Sequence, residues 1–377
     1  MHYLDHAATT PVPKAVADAM YQELTEHFGN PSSQYAMGRE EKERVEGYRA
    51  IIAHALGCQS KNLHFTSCGT EADNWAISAS IWNGRHTGKH IITTAIEHSA
   101  VLEHCKHLAK RCYEVTYLKP DTNGSITVQQ VAEALREDTV LVSMMLVNNE
   151  TGVILPVKEV ADLLKERKST ALLHTDAVQA FLKIPFSATE LGADFVSVSA
   201  HKIGGPKGSG ALYISPRVRA PLPMLFGGGQ ESGLRAGTEP TAQLAGFAKA
   251  AELRMENLEE KLRHMAEIKE YCLTQLSAIE GLVRVGNGEA PHILSVSMPG
   301  YPSANVVNDL DTQGICISAG SACHKGKPSH VFAALGLEKR VTQGILRISF
   351  APETTREDID ALCAALKKHH DTRFPMF

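Results

Sequence analysis

The chain has 377 residues, 43% of them hydrophobic and 21% charged, and a net charge of −4. That composition supports a large core, expected in two domains, and the charge carries no long like-sign blocks, so a small ligand is expected rather than nucleic acid or a membrane surface. No apolar run approaches the roughly 20 residues that span a bilayer, and the start Met1-His2-Tyr3-Leu4-Asp5 lacks a basic-then-apolar leader, so a cytoplasmic protein is expected.

In chain order, Phe65-Thr66-Ser67-Cys68-Gly69-Thr70-Glu71-Ala72-Asp73-Asn74 reads as a strand, a small-residue turn and a polar helix entry. Apolar β-rich runs follow at 90–96, 115–118, 140–148, 171–175, 195–199 and 210–214. They alternate with helical stretches such as 157–165, where Val157, Val160, Ala161 and Leu164 share a face. This is the pattern of an α/β sheet covered on both faces. From 251 to 279, Leu258, Leu262, Met265, Cys272 and Leu276 recur at helical spacing, predicting one long amphipathic helix that bridges two domains. Beyond it, strands at 293–298, 315–318 and 346–350 and a helix over 356–368 suggest a smaller α+β unit. The expected division is a large domain at 14–250 and a small one made of 1–13 and 251–377.

Three chemical groups stand in order along this frame. A strand ending at Asp176 places a carboxylate at the carboxyl edge of the sheet, where open α/β folds bind ligands. Alone, that acid reads more readily as a helix cap or turn former. Lys202 follows one strand later in Ser199-Ala200-His201-Lys202-Ile203-Gly204-Gly205-Pro206, and both side chains can face one crevice. A solvated surface lysine is the ordinary alternative, but Ser199, His201 and the glycine–proline turn argue against it. An isolated thiol, Cys323, sits in Ser318-Ala319-Gly320-Ser321-Ala322-Cys323. Acid, amine and thiol together suggest a pyridoxal phosphate enzyme that carries its own sulfur acceptor.

Backbone N–H groups at Gly69 and Thr70 are suited to a phosphate. Gly205-Pro206-Lys207-Gly208-Ser209-Gly210 lacks the spacing of a nucleotide phosphate loop and precedes a strand, so nucleotide binding is set aside. The eight cysteines, at 58, 68, 105, 112, 272, 316, 323 and 363, contain no Cys-x-x-Cys, and free thiols are expected. A metal site at His104-Cys105-Lys106-His107 has no second ligand pair to complete it.

With Tyr3-Leu4-Asp5-His6-Ala7-Ala8-Thr9-Thr10, Gly29-Asn30-Pro31-Ser32-Ser33, Glu97-His98, Asn148-Asn149-Glu150-Thr151-Gly152, the Asp176 and Lys202 segments, Arg235-Ala236-Gly237-Thr238 and Ser321-Ala322-Cys323 in place, the chain resembles the cysteine desulfurases. These form a branch of the fold type I pyridoxal phosphate enzymes. The resemblance implies a mostly parallel seven-stranded sheet in the large domain and a catalytic segment at about 318–330. The form of the Cys323 segment is similar to that of the class serving iron–sulfur and thionucleotide assembly.

Residue by residue, the resemblance implies that Lys202 holds pyridoxal 5'-phosphate through its amine, Asp176 pairs with the pyridine nitrogen and His98 stacks on the ring. Gln179 and Asn149 bond the phenolic oxygen or its surroundings. Gly69, Thr70, Ser199 and His201 hold the phosphate, with Thr238 completing it from the second subunit of a homodimer. Arg347, assisted by Asn149, takes the carboxylate of L-cysteine, a bidentate task for which arginine is suited. Lys202 or His98 acts as base, and Cys323 accepts the sulfur as a persulfide for transfer to a protein acceptor: an iron–sulfur scaffold, or an enzyme of tRNA or cofactor thiolation.

A selenocysteine lyase would use the same residues, and a non-catalytic sulfur-transfer scaffold would keep only the binding surface. Two departures stand out. Cys68 occupies a position where relatives carry glycine. The segment after Cys323 is about two residues shorter than in relatives and is basic, with His324, Lys325 and Lys327, which suggests an acceptor that docks close to the site.

Overall fold

The computed structural model describes residues 1–320 and 329–376. Its strands in chain order are β1 (His2–Tyr3), β2 (Leu63–Thr66), β3 (His90–Thr94), β4 (Glu114–Leu118), β5 (Thr139–Ser143), β6 (Leu172–Asp176), β7 (Phe195–Ser199) and β8 (Gly210–Ile214). They continue with β9 (Val283–Arg284), β10 (Ile293–Ser297), β11 (Ile315–Cys316), β12 (Ser318–Ala319) and β13 (Ile345–Ser349).

Seven strands form one sheet in the order β2-β8-β7-β6-β5-β3-β4. Only β8 runs antiparallel to its neighbours, and every other pair is parallel. Strands β3, β5, β6 and β7 are buried along their whole length, which is why they read as continuous apolar runs rather than as alternation. Because β4 and β5 lie on opposite sides of β3, the sheet reverses direction there, and the loops leaving the carboxyl ends of β3, β5, β6 and β7 converge.

The run at 140–148 is only partly strand. The ladder stops at Ser143, but Met144 and Leu146 still donate to the carbonyls of His174 and Asp176 at 3.0 and 2.9 Å. The chain therefore follows β6 outward before Asn148 turns it, its Oδ1 accepting from the N–H groups of Glu150 and Thr151 at 3.0 and 2.8 Å.

The single helix expected over 251–279 is instead two, Thr241–Met255 and Leu258–Leu276. Asn257 between them takes a left-handed conformation, φ 50° and ψ 40°, which ends an α-helix and which asparagine tolerates better than most residues. The apolar spacing runs through the break because each helix faces a different core. Phe247 packs with Ile52, Val142 and Phe181 against the large sheet, meeting Phe181 edge-on with ring centroids 6.2 Å apart. Burial of each such ring contributes about 1.5–3 kcal/mol. Ile268 and Cys272 pack with Leu4, Val296 and Leu346 against the second sheet. That sheet is antiparallel, in the order β12-β13-β10-β9.

The strand expected over 315–318 also divides: β11 pairs in parallel with β1, and β12 pairs with β13. Pairing with β11 anchors residues 2–3, after which Ser349 N–H donates to Leu4 O at 2.8 Å and Ala7 N–H to Ser349 Oγ at 2.8 Å. The segment then crosses to the large sheet, where the Thr10 N–H and hydroxyl both donate to His201 O, at 3.1 and 2.9 Å. Among the described residues no helix is long and apolar enough to cross a membrane.

Candidate active site

A cavity of about 410 Å³ opens at the carboxyl edge of the large sheet and is closed on its other side by β12, β13 and residues 7–8. Asp176, the last residue of β6, lies at its floor, buried, with Oδ1 accepting from the Val178 N–H at 2.9 Å. Burial raises its pKa to about 6, and the nearby Asp73 carboxyl adds to the rise. Asp73, one turn along the Gly69–Gly84 helix, is raised to about 7 by burial. Ligand atoms of Asp73, Asp176 and His98 all lie within 4.8 Å of one another. Two buried carboxyls this close do not both ionise without a cation between or beside them.

At the other end of the cavity, Gly69 and Thr70 open the Gly69–Gly84 helix with N–H groups that have no helical acceptor. A Cβ at Gly69 would stand 2.7 Å from Val178 Cγ2, so only glycine lets this turn approach the wall so closely. Ser199 Oγ, at the end of β7, is buried with no partner among the described residues. His201 Nδ1 lies 3.2 Å from Thr9 Oγ1, and burial, then the neighbouring Lys202, lower its pKa to about 4. Cys68 lines the same end. Arg235 pairs with Glu71 at 2.9 Å, tying the 235–238 segment to this turn. Thr238 itself is exposed and does not line the cavity of its own chain.

Between the two ends stands Lys202, carried by the turn after β7. Its Nζ donates to the carbonyls of Ala7 and Ala8, each at 2.8 Å. Burial, reinforced by the Arg347 charge, lowers its pKa to about 8. Gly204, at φ +94°, lets the chain reverse beyond it. His98 faces the cavity with Nδ1 accepting from the Ala100 N–H at 3.2 Å, and burial lowers its pKa against the pull of Asp176. Gln179 reaches in from the loop after β6, its Nε2 donating to Ala7 O at 2.8 Å.

Arg347, in the middle of β13, faces this constellation from the second sheet. Its Nη1 donates to Asn149 O at 3.0 Å and its Nη2 to Asp5 Oδ1 at 2.8 Å. Arg347 Nε and Asn149 Oδ1 are buried without partners among the described residues. Glu150 stands beside them; its Oε1 accepts from Ser329 Oγ at 2.6 Å, and burial raises its pKa to about 7.

Cys323 lies outside the described residues, as do His324, Lys325 and Lys327. Gly320 and Ser329, which flank that segment, both line the cavity, and the Ser329 N–H donates to Gly320 O at 3.1 Å.

The structure thus brings Gly69, Thr70, His98, Asn149, Asp176, Gln179, Ser199, His201, Lys202 and Arg347 to one cavity and leaves Thr238 outside it. Sequence reasoning missed Asp5, Asp73, Glu150, Ser329 and the Ala7 and Ala8 carbonyls. The only advance sign of Asp5 was its place in the Leu4-Asp5-His6-Ala7-Ala8 run. The helix entry at Asp73 gave no reason to place a second acid behind Asp176. His104, Cys105 and His107 lie in a helix, Ser99–Ala109, where Cys105 is buried and its thiol is pushed up to about 12.

The residues present fit pyridoxal phosphate. Unpaired donors at Gly69, Thr70 and Ser199 suit a phosphate. The Asp176 and Asp73 pair calls for a cation of the kind a protonated pyridine nitrogen supplies, and the lowered amine of Lys202 lies between the two ends.

Residues 2–362 match the aminotransferase class-V family. The protein named cysteine desulfurase IscS from Methanosarcina thermophila is 39% identical over 376 residues, which is 95% of this chain and 89% of that one. The putative cysteine desulfurase IscS 1 of Bacillus subtilis (strain 168) is 42% identical over 365 residues, 95% of each chain. Among solved structures, a NifS-like protein superposes with a TM-score of 0.92 at 36% identity, over 98% of this chain and 99% of that chain. A NifS-like protein from Rickettsia africae ESF-5 gives 0.88 at 31% identity, over 99% and 100%. Fold, cavity and relatives agree, and the chain belongs to the class-V aminotransferase family and, within it, to the cysteine desulfurases.

Proposed function

We propose that this chain takes sulfur from L-cysteine with the help of pyridoxal 5'-phosphate, leaving L-alanine and a persulfide on Cys323 that is passed to a protein acceptor. The observation that carries the reading is the placement of Lys202. Its amine, lowered to about 8, stands between an anion-binding turn and a buried acid pair, opposite an arginine with an unpaired donor.

When bound, pyridoxal phosphate supplies an electron sink that makes the Cα proton of an amino acid removable and weakens its C–S bond. The chain's own residues do the rest. Gly69, Thr70, Ser199 and His201 fix the phosphate, and Asp176 keeps its negative charge for the ring nitrogen while Asp73 keeps its proton. Arg347 orients the substrate carboxylate, with Asn149 beside it. Lys202, close to half unprotonated near pH 8, and His98, kept neutral by burial, are the groups able to take up the proton. Cys323 receives the sulfur: the substrate's C–S bond breaks, an S–S bond forms on Cys323, and the thiol proton is released or passed to the carbon that becomes the alanine methyl group. Thr238, exposed beside the Arg235–Glu71 pair, is assigned to the phosphate site of a second subunit in a homodimer.

The test is to incubate the purified protein, loaded with pyridoxal phosphate, with L-cysteine. Alanine and a persulfide mass increment on Cys323 are expected in equal amounts in a single turnover. The visible band of the cofactor is expected to vanish in Lys202→Ala. Alanine formed at an undiminished rate by Cys323→Ala, or a band indifferent to Lys202→Ala, overturns the assignment.

A further inference from the structure

Among the described residues, Lys183 is a buried lysine without an acid beside it. It is 6% exposed, and among the described residues its Nζ has one hydrogen-bond partner, Gln179 Oε1 at 3.1 Å. The charged and titratable groups that face it are Lys202, Arg254, Arg347, His6, His201 and His292, none of them anionic. Burial and these like charges hold its pKa well below that of a free lysine. Charged or neutral, the amine keeps N–H donors.

Those donors meet a side chain that lines the cavity. Gln179 accepts from Lys183 at Oε1 and donates one Nε2–H to Ala7 O at 2.8 Å. Its second N–H has no protein acceptor among the described residues, and the side chain forms part of the cavity wall. With the amide turned over, Oε1 would oppose the Ala7 carbonyl, acceptor against acceptor, and would lose the Lys183 donor. Without the amine, a buried amide oxygen is left bare, and rotation out of this pose is favoured.

We propose that Lys183 is a positioning residue for the cofactor: its amine locks the Gln179 side chain so that an amide N–H, not the amide oxygen, meets the phenolic oxygen of the bound ring. The inference rests on the pyridoxal phosphate reading above. The contact at 3.1 Å fixes Oε1 from the side away from Ala7 O, to which Nε2 donates. The presented N–H stabilises negative charge on the ring oxygen, so the bound cofactor sheds its proton at a lower pH than it would without that donor.

The test is a spectrophotometric pH titration of the visible band in protein reconstituted with pyridoxal phosphate. It is run on the unaltered chain, Lys183→Met, Gln179→Leu and the double variant, with Lys183→Ala replacing the Met variant should that not accumulate. The midpoint is expected to rise by about 0.5–1 pH unit in Lys183→Met. Gln179→Leu is expected to shift it at least as far, and the double variant no further than Gln179→Leu. Thermal stability of Lys183→Met is expected to hold or increase, since a desolvated amine has been removed. A midpoint unmoved in Lys183→Met overturns the proposal. So does a Lys183 effect that persists in the Gln179→Leu background, which assigns it to direct charge on Lys202. Failure of the unaltered chain to show any band dependent on Lys202 sinks the cofactor reading instead and is read before any variant.

Discussion

The cavity wall built on the seven-stranded sheet governs its ionisable groups by enclosing them, whereas the wall carried by β13 governs its charge by pairing it. Asp176 ends β6, Asp73 stands one turn into the Gly69–Gly84 helix, Glu97 is buried near both, and burial raises all three carboxyls. Arg347, across the cavity, is held by Asp5 Oδ1 and Asn149 O at 2.8 and 3.0 Å. Enclosure leaves groups that respond strongly to an incoming charge, and pairing leaves a charge aimed in a fixed direction. A site that must bind a zwitterion and move a proton benefits from both.

The largest expected effect tests the paired wall. Arg347→Met should lower kcat/KM for L-cysteine by about 10²- to 10³-fold, because the two charge-assisted bonds proposed for it with the substrate carboxylate would be lost. Asp5→Asn, which leaves the guanidinium but removes its anchor, should cost about tenfold, mostly in KM. Equal losses in the two variants would mean that Asp5 does more than aim Arg347.

The enclosed wall is tested through pH. Burial raises Glu97 from 4.5 to about 8, so over that interval the folded chain holds a proton that the unfolded chain has lost. Stability therefore falls as pH climbs from about 4.5 towards 8, and Glu97→Gln, which cannot ionise, should flatten that decline in a series of thermal melts. Parallel slopes in the two proteins would remove Glu97 from the account.

The smallest effect concerns the junction between the two cores. Asn257→Ala should lower stability by about 1 kcal/mol through the cost of a left-handed alanine, with kcat unchanged. A gain in stability would mean that the two helices prefer to run on as one.

Most of the large sheet is legible in the sequence because its strands are enclosed on both faces and announce themselves as apolar runs. Phe195–Ser199 and Gly210–Ile214 match expectation end to end. The break at Asn257 is not legible, since periodicity records which face is apolar and not which core it meets. The Ala7 and Ala8 contacts with Lys202 join residues almost two hundred positions apart through backbone carbonyls, which leave no mark on residue identity. Lys183 resembles any lysine between apolar neighbours until its enclosure is seen.

Residues 2–10 run beside β11 and β13 and end against the turn that carries Lys202. The strap therefore precedes, by about 300 residues of chain, the strands β11 and β13 that hold it. Until those strands exist nothing anchors the two carbonyls that cradle the amine, so the large sheet on its own does not finish the Lys202 site.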